Sequence, residues 1–426
     1  MIRQYSITEF EEQYLEAASL KAHRQHAIQK AARTIIEEVR NEGDKAVARF
    51  SSQFDGKVPS SWTVTEEERA LAWREVPPAL IQAMKQAADN IRAFHSGQLQ
   101  QSRILSAEDG FLAGQLFLPI EKVGMYVPGG TAAYPSSVLM NAIPARIAGV
   151  TRLAMATPAR GGTVPPALIV AADIAKVDVI YKIGGCQAIA AFAYGTESVE
   201  RVDKIVGPGN AYVAAAKSLV FGDVGIDMIA GPSEVAVIAD ESANPTYIAA
   251  DLLAQAEHDE LARCILITTS DQIIQKVNEE ISLQCTSLPR KHIASGALEN
   301  NSAAIRTNSL DEAFCLSNRL APEHLEIHTA DPFMHIGKIK NAGSVFLGPY
   351  TPEAAGDYYA GPNHVLPTSG TARFSSGLSV DDFIKKTTYL SYSRKALEKA
   401  AESIITLAGA EGLEAHARAV EARIKK

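Results

Sequence analysis

The chain has 426 residues, 46% of them apolar and 21% charged, which is the range of a soluble globular protein with room for two or more domains. Its 41 Lys and Arg against 49 Asp and Glu leave a formal charge of −8, which argues against nucleic acid or an anionic membrane as partner. No apolar run reaches the ~18 residues of a membrane-spanning helix.

The start, Met1–Ser6, leads into acidic, helix-like sequence and does not read as a signal peptide. Residues 1–20 are short and polar and read as an N-terminal arm or helix. Ile28, Ala32, Ile35 and Val39 recur at helical spacing and predict an amphipathic helix over 26–50. A second helical stretch covers 66–97, with a break at Pro77-Pro78. From about residue 115 short apolar runs alternate with Ala-rich helical stretches. Lys122–Tyr126, Val138–Gly149, Arg152–Ala156, Ala167–Ala175, Val177–Tyr181, Gln187–Tyr194, Val202–Val206 and Ala211–Val220 follow one another. That rhythm predicts βαβ units and a parallel sheet. A second series runs from Glu234–Ile238 to Ser344–Leu347. The expected fold class is therefore α/β, with two domains. A Gly/Ser/Thr-rich stretch at 368–379 leads to a C-terminal helical tail.

The chemistry-bearing residues are widely spaced. Glu323 and His324 set an acid and an imidazole side by side after Pro322. His titrates near neutral pH and a tuned Glu can be brought there, so the pair suits proton transfer, although a solvated loop is the blander account. Gln255 and His258 are three apart on an expected helix and so share one face. Asp357 follows a glycine and His416 lies on the tail, where each alone reads as a cap or surface residue. Together, one amide oxygen, two imidazoles and one carboxylate suit zinc, or cobalt or manganese in its place. His364 sits in the turn-rich Gly361–Pro367 and could face a site. Glycine-rich turns at Val127-Pro-Gly-Gly130, Ile183-Gly-Gly185 and Val206-Gly-Pro-Gly-Asn210 each lie between an expected strand and helix. They could cradle phosphate, yet none is a GxGxxG. Cys186 could be a thiol nucleophile, but a small buried residue at a helix start fits it better. Ser233 could touch a ligand or simply make a turn. His23 and His26 have no acidic neighbour and read as surface. The four cysteines, Cys186, Cys264, Cys285 and Cys315, form no CxxC pair, so the expected compartment is a reducing cytoplasm.

These segments resemble the histidinol dehydrogenase family over nearly the whole chain. The likeness is densest at Gly124–Gly130, Asp203–Tyr212, Ala230–Glu234, Gln255–His258, Pro322–Glu326 and Gly361–Phe383. It implies a cytoplasmic zinc homodimer that oxidises L-histidinol to L-histidine in two steps, through a retained aldehyde, with two NAD and one water. Carried over residue by residue, the zinc ligands fall on Gln255, His258, Asp357 and His416. The acid–base pair falls on Glu323 and His324, and the NAD contacts on Tyr126, Gln187 and Asn210. The substrate contacts fall on Ser233, His324, His364 and Glu411, besides the zinc ligands. The implied fold is two Rossmann-like α/β domains, each an incomplete dinucleotide fold. One, residues 21–110 with 235–376, carries the zinc and acid–base residues, and the other, 111–234, binds NAD. The tail, 377–426, completes the partner's active site. The rivals are a sulfopropanediol-type alcohol dehydrogenase on the same fold, a zinc hydrolase, and a non-catalytic metal-binding dimer.

Overall fold

The structure is a computed structural model that describes residues 1–16, 22–108, 110–129 and 133–425. Residues 17–20 of the expected arm and Gly130 of the first glycine turn lie outside the described residues.

Two all-parallel sheets dominate. The five-stranded sheet runs in the order Val179–Tyr181, Arg152–Ala156, Lys122–Tyr126, Lys204–Val206, Gly225–Ile226. The six-stranded sheet runs Arg3–Tyr5, Ala303–Arg306, Arg263–Thr268, Glu234–Ala239, His324–His328, Ser344–Leu347. Setting aside the edge strand Arg3–Tyr5, each sheet starts in its middle, winds outward one way, and then returns to wind the other way. That is the doubly wound arrangement of Rossmann-type folds, with a switch point beside the first strand. The strands are buried on both faces, as in Glu234–Ala239, where every residue is buried. This is why they read as continuous apolar runs.

The N-terminal residues are not simply an arm: Arg3–Tyr5 pairs in parallel with Ala303–Ile305 and extends the six-stranded sheet. The expected helix over 26–50 is two helices, Ala22–Glu42 and Asp44–Asp55, parted at Gly43. Gly43 has φ 55°, and a Cβ there would collide with the Glu197 carboxylate, which binds the Asp44 N–H at 2.8 Å. The break at Pro77-Pro78 is present, between Glu66–Glu75 and Pro78–Ser96.

The sequence reading groups 21–110 with 235–376, but the cores divide otherwise. Ala32, Ile36, Val47 and Phe50 pack with Ala188, Ile189 and Val213 on one face of the five-stranded sheet. Ala72, Met84, Ala88 and Ile91 pack with Leu139, Ile143 and Leu168 on the other. Helices 22–96 therefore cover the five-stranded sheet. The six-stranded sheet is covered by Ile248, Leu252, Ile274 and Leu298 on one side, and by Phe10, Phe314 and Leu316 on the other.

A third, antiparallel sheet was not expected. Phe111–Pro119 is flanked by Arg103–Glu108 and by Ile384–Tyr392. It ties the chain before the first parallel strand to the start of the tail. The tail continues as Arg394–Ala410 and Glu414–Ile424, packed on each other. Among the described residues, no helix is long and apolar enough to cross a membrane.

Candidate active site and metal centre

Glu323 and His324 begin the strand His324–His328, which pairs with Glu234–Ala239 at the switch point of the six-stranded sheet. They occupy the amino edge of that sheet, the end opposite the one where ligands of open α/β sheets usually bind. Helix Pro245–Ala256 runs back toward the same edge and delivers Gln255 in its last turn. His258 lies just past the helix end and is held by an N–H bond to the Gln255 carbonyl at 3.2 Å. The two share a site through this turn, not through a common helix face.

His324 is 4% exposed. Its Nδ1 lies 3.2 Å from the Glu234 carbonyl, which assigns the proton to Nδ1. Nε2 is buried with no hydrogen-bond partner and lies 3.7 Å from Asp357 Oδ1. Glu323 Oε2 accepts the Glu234 N–H at 2.9 Å and is 3.9 Å from His324 Nδ1. Burial drives the Glu323 carboxyl up to about 7, even though His324 and the Glu234 N–H pull it down. Burial works against the charged His324, but Glu353, Glu323 and Asp357 outweigh it and hold the imidazole up to about 10. Burial also lowers His258 and His364, which keeps both neutral at neutral pH.

His258, Glu353 and Asp357 each place one ligand atom within 4.8 Å of the others. Gln255 is buried beside them. With its amide nitrogen turned toward the carboxylate it donates to Glu353 Oε2 at 3.0 Å. One imidazole with carboxylates and an amide is a donor set that fits a zinc-type ion. Glu353 escaped the sequence reading. Its signal was the i, i+4 spacing to Asp357 across Glu353–Ala355 and the turn Gly356–Ala360.

Ser233 is half-buried immediately before Glu234. His364 bridges the two halves: Nδ1 is 2.9 Å from the Asp357 carbonyl, and Nε2 is 3.3 Å from Ser137 Oγ, in the helix that follows the first strand of the five-stranded sheet. Glu411 and His416 are exposed on the tail. No hydrogen bond or ion pair joins them to Gln255, His258 or Asp357 within the one chain.

Tyr126, Gln187 and Asn210 gather at the carboxyl edge of the five-stranded sheet, around its switch point. The Tyr126 hydroxyl accepts the Gly185 N–H at 3.0 Å. Gln187 is 1% exposed and neither end of its amide has a partner. It lies in the first turn of helix Gly185–Tyr194, whose N-terminus has no side-chain cap. An orphaned amide beside an uncapped helix N-terminus fits a phosphate-bearing cofactor. Asn210 caps helix Ala211–Val220 by accepting the Tyr212 and Val213 N–H groups. Gly207 must be glycine: φ is 103° and a Cβ would lie 2.2 Å from the Tyr126 carbonyl oxygen. Its loop is pinned by Lys217, which donates to the Gly207 carbonyl at 2.9 Å, and by Asp227, which accepts the Gly207 N–H at 2.7 Å.

Cys186 is buried and its thiol faces the Tyr212 carbonyl. Burial pushes it up to about 12, so it is no thiolate nucleophile. His26 is exposed, and the side chain of His23 lies outside the described residues.

The histidinol dehydrogenase family model matches residues 19–424. The histidinol dehydrogenase of Clostridium acetobutylicum is 53% identical over 416 residues, 97% of this chain and 96% of that protein. A Bacillus cereus histidinol dehydrogenase is 53% identical over 402 residues, 94% of each. The crystal structure of histidinol dehydrogenase from Elizabethkingia anophelis superposes with a TM-score of 0.90 at 43% identity, covering 93% of this chain and 92% of that one.

Proposed function

This chain belongs to the histidinol dehydrogenase family, and we propose that its buried Glu323–His324 pair carries the family's proton transfers. The protein is an NAD-dependent oxidoreductase acting on a CH–OH donor. It takes L-histidinol to L-histidine through the aldehyde, in the final step of L-histidine biosynthesis, and it functions as a homodimer with zinc and NAD as cofactors. The observation that carries the residue roles is His324 Nε2: a buried nitrogen with no partner, next to the carboxylates and His258.

His258, Asp357 and Gln255 would hold the metal, with the partner subunit's tail adding His416. When bound, zinc supplies an anchor for the substrate's imidazole and amine and a positive charge that offsets the surrounding carboxylates. With the charge of bound zinc offsetting the carboxylates that hold the imidazole up, His324 Nε2 would take the hydroxyl proton of the alcohol in the first oxidation and of the aldehyde hydrate in the second. Glu323 takes a proton from the water that attacks the aldehyde, a role suited to a carboxyl held near 7. Tyr126, Gln187 and Asn210 hold NAD, while Ser233, His364 and the partner's Glu411 orient the substrate. A sulfonate substrate would call for Arg or Lys where Glu411 and His364 stand. The charged groups nearest His324 are Glu323, Glu353 and Asp357, which suit the ammonium of histidinol.

We place the enzyme in the cytoplasm; four cysteines without a disulfide support a reducing compartment. The deciding experiment is NADH growth with histidinol before and after chelation. Two NADH per histidinol, lost on chelation and restored by zinc, is the expected result. Unchanged turnover after the metal is removed would overturn the metal-centred reading.

A further inference from the structure

Residues two apart on a strand face the same way, so strand His324–His328 places Glu326 and His328 in line with His324. Both are buried, and the mechanism uses neither. Facing them, helix Pro245–Ala256 presents Asp251, one turn before Gln255. Glu326 Oε2 lies 3.2 Å from His328 Nε2, and Asp251 Oδ2 lies 3.7 Å from the same nitrogen. Burial and the Glu326 charge push Asp251 upward. Buried ionisable groups of this kind are costly unless something requires them.

The requirement is visible at the other oxygen. Glu326 Oε1 accepts the Glu353 N–H at 3.0 Å. Glu353 opens the short helix Glu353–Ala355, whose N-cap is Pro352, with no side-chain cap of its own. An N–H at a helix start has no intrahelical acceptor, so Glu326 caps this helix from the neighbouring strand. The capped segment continues directly into Gly356–Ala360, which carries Asp357. The three groups lie within 4.8 Å of one another. Glu326 nevertheless spends both oxygens on neighbours, which makes a hydrogen-bond network and not a second metal pocket.

We propose that Asp251, Glu326 and His328 form a positioning unit that fixes the Glu353–Asp357 segment against His258 and His324, and so sets zinc and histidinol binding without touching either. The proposal rests on the site reading above. It is tested in the full-length dimer with Glu326→Ala and Glu326→Gln, reading zinc content, histidinol KM, kcat and NAD affinity. Glu326→Ala should weaken zinc retention and raise histidinol KM by about 10- to 100-fold, the scale of a lost partner behind a metal ligand. NAD affinity should stay unchanged. Glu326→Gln should rescue both, because its carbonyl still accepts the Glu353 N–H. His328 can then move its proton to Nδ1, which has no partner, and accept from the new amide. If Glu326→Ala does not fold, Glu326→Met, which keeps the volume and removes only the acceptors, takes its place. Unchanged zinc and histidinol KM, or parallel losses in NAD affinity without rescue by Gln, would overturn the positioning role. His258→Asn run alongside separates the two readings. If it too retains zinc and histidinol, the site reading falls and this proposal with it; if only the Glu326 variants do, the positioning role alone falls.

Discussion

His324 is bonded across the switch point of its sheet to the carbonyl of Glu234, while the Glu234 N–H is bonded to Glu323. One residue on the first strand thus orients both the Glu323 carboxyl and the His324 imidazole through its backbone. The first bond takes up Nδ1 and turns Nε2 toward Asp357. His324→Asn removes that nitrogen, and both oxidations should slow by about 10²- to 10⁴-fold, the worth of a general base. Single-turnover rates with histidinol and with histidinaldehyde check this. A loss confined to one step would assign the base elsewhere.

As the proposed base for the attacking water, Glu323 should give the two steps different pH dependences. Burial raises its carboxyl to about 7, and only the ionised form can accept a proton from water. Aldehyde oxidation should therefore rise as pH increases through about 7 and then level. In Glu323→Gln that limb should vanish and the step should fall far more than alcohol oxidation does. Rates measured from histidinaldehyde between acid and mildly alkaline pH decide it. Equal losses in both steps would remove the assignment.

Much of this was legible in the chain because buried parallel strands are near-continuous apolar runs with helices between them. Lys122–Tyr126, Arg152–Ala156 and Glu234–Ala239 announce themselves in that way. The third strand of the antiparallel sheet did not. Ile384–Tyr392 is exposed at most positions and pairs with Phe111–Pro119, far away in sequence, so neither periodicity nor a hairpin turn marks it. The break at Gly43 depends on Glu197, another distant partner. At the site, Gln255, His258, Glu323, His324 and Asp357 stand in dense motifs. Glu353 and Glu326 do not, because their importance comes from a loop that folds back over its own sheet.

Cys186 occupies the place a thiol nucleophile would take, at the start of a helix at the carboxyl edge of the five-stranded sheet. Its burial, its raised pKa of about 12 and its contact with the Tyr212 carbonyl make it a packing residue. Cys186→Ala should keep turnover within a few-fold of the parent and should not suppress the aldehyde step. A drop beyond about 10²-fold, the scale of a missing acid–base group, would restore covalent catalysis as a candidate. Steady-state rates and a search by mass spectrometry for a trapped thioester are the measurements.

The tail poses the last test. Glu411 and His416 are exposed on helices that pack mainly on each other, joined to the body through strand Ile384–Tyr392. A two-helix tail of this size has too little core to stand alone, and an exposed imidazole is free to serve a neighbouring subunit. If His416 completes the site of the partner, His258→Asn and His416→Asn homodimers should each be inactive. A mixed dimer would then hold one site with both residues intact and one with neither. Random exchange makes half the dimers mixed, so activity should return to about a quarter of the parent's, as two-fold symmetry requires. Mixing the two purified variants under conditions that allow subunit exchange, and following NADH growth with histidinol, reads this directly. If His416 instead folded back onto its own subunit, every mixed dimer would pair one site lacking His258 with one lacking His416, and no activity would return.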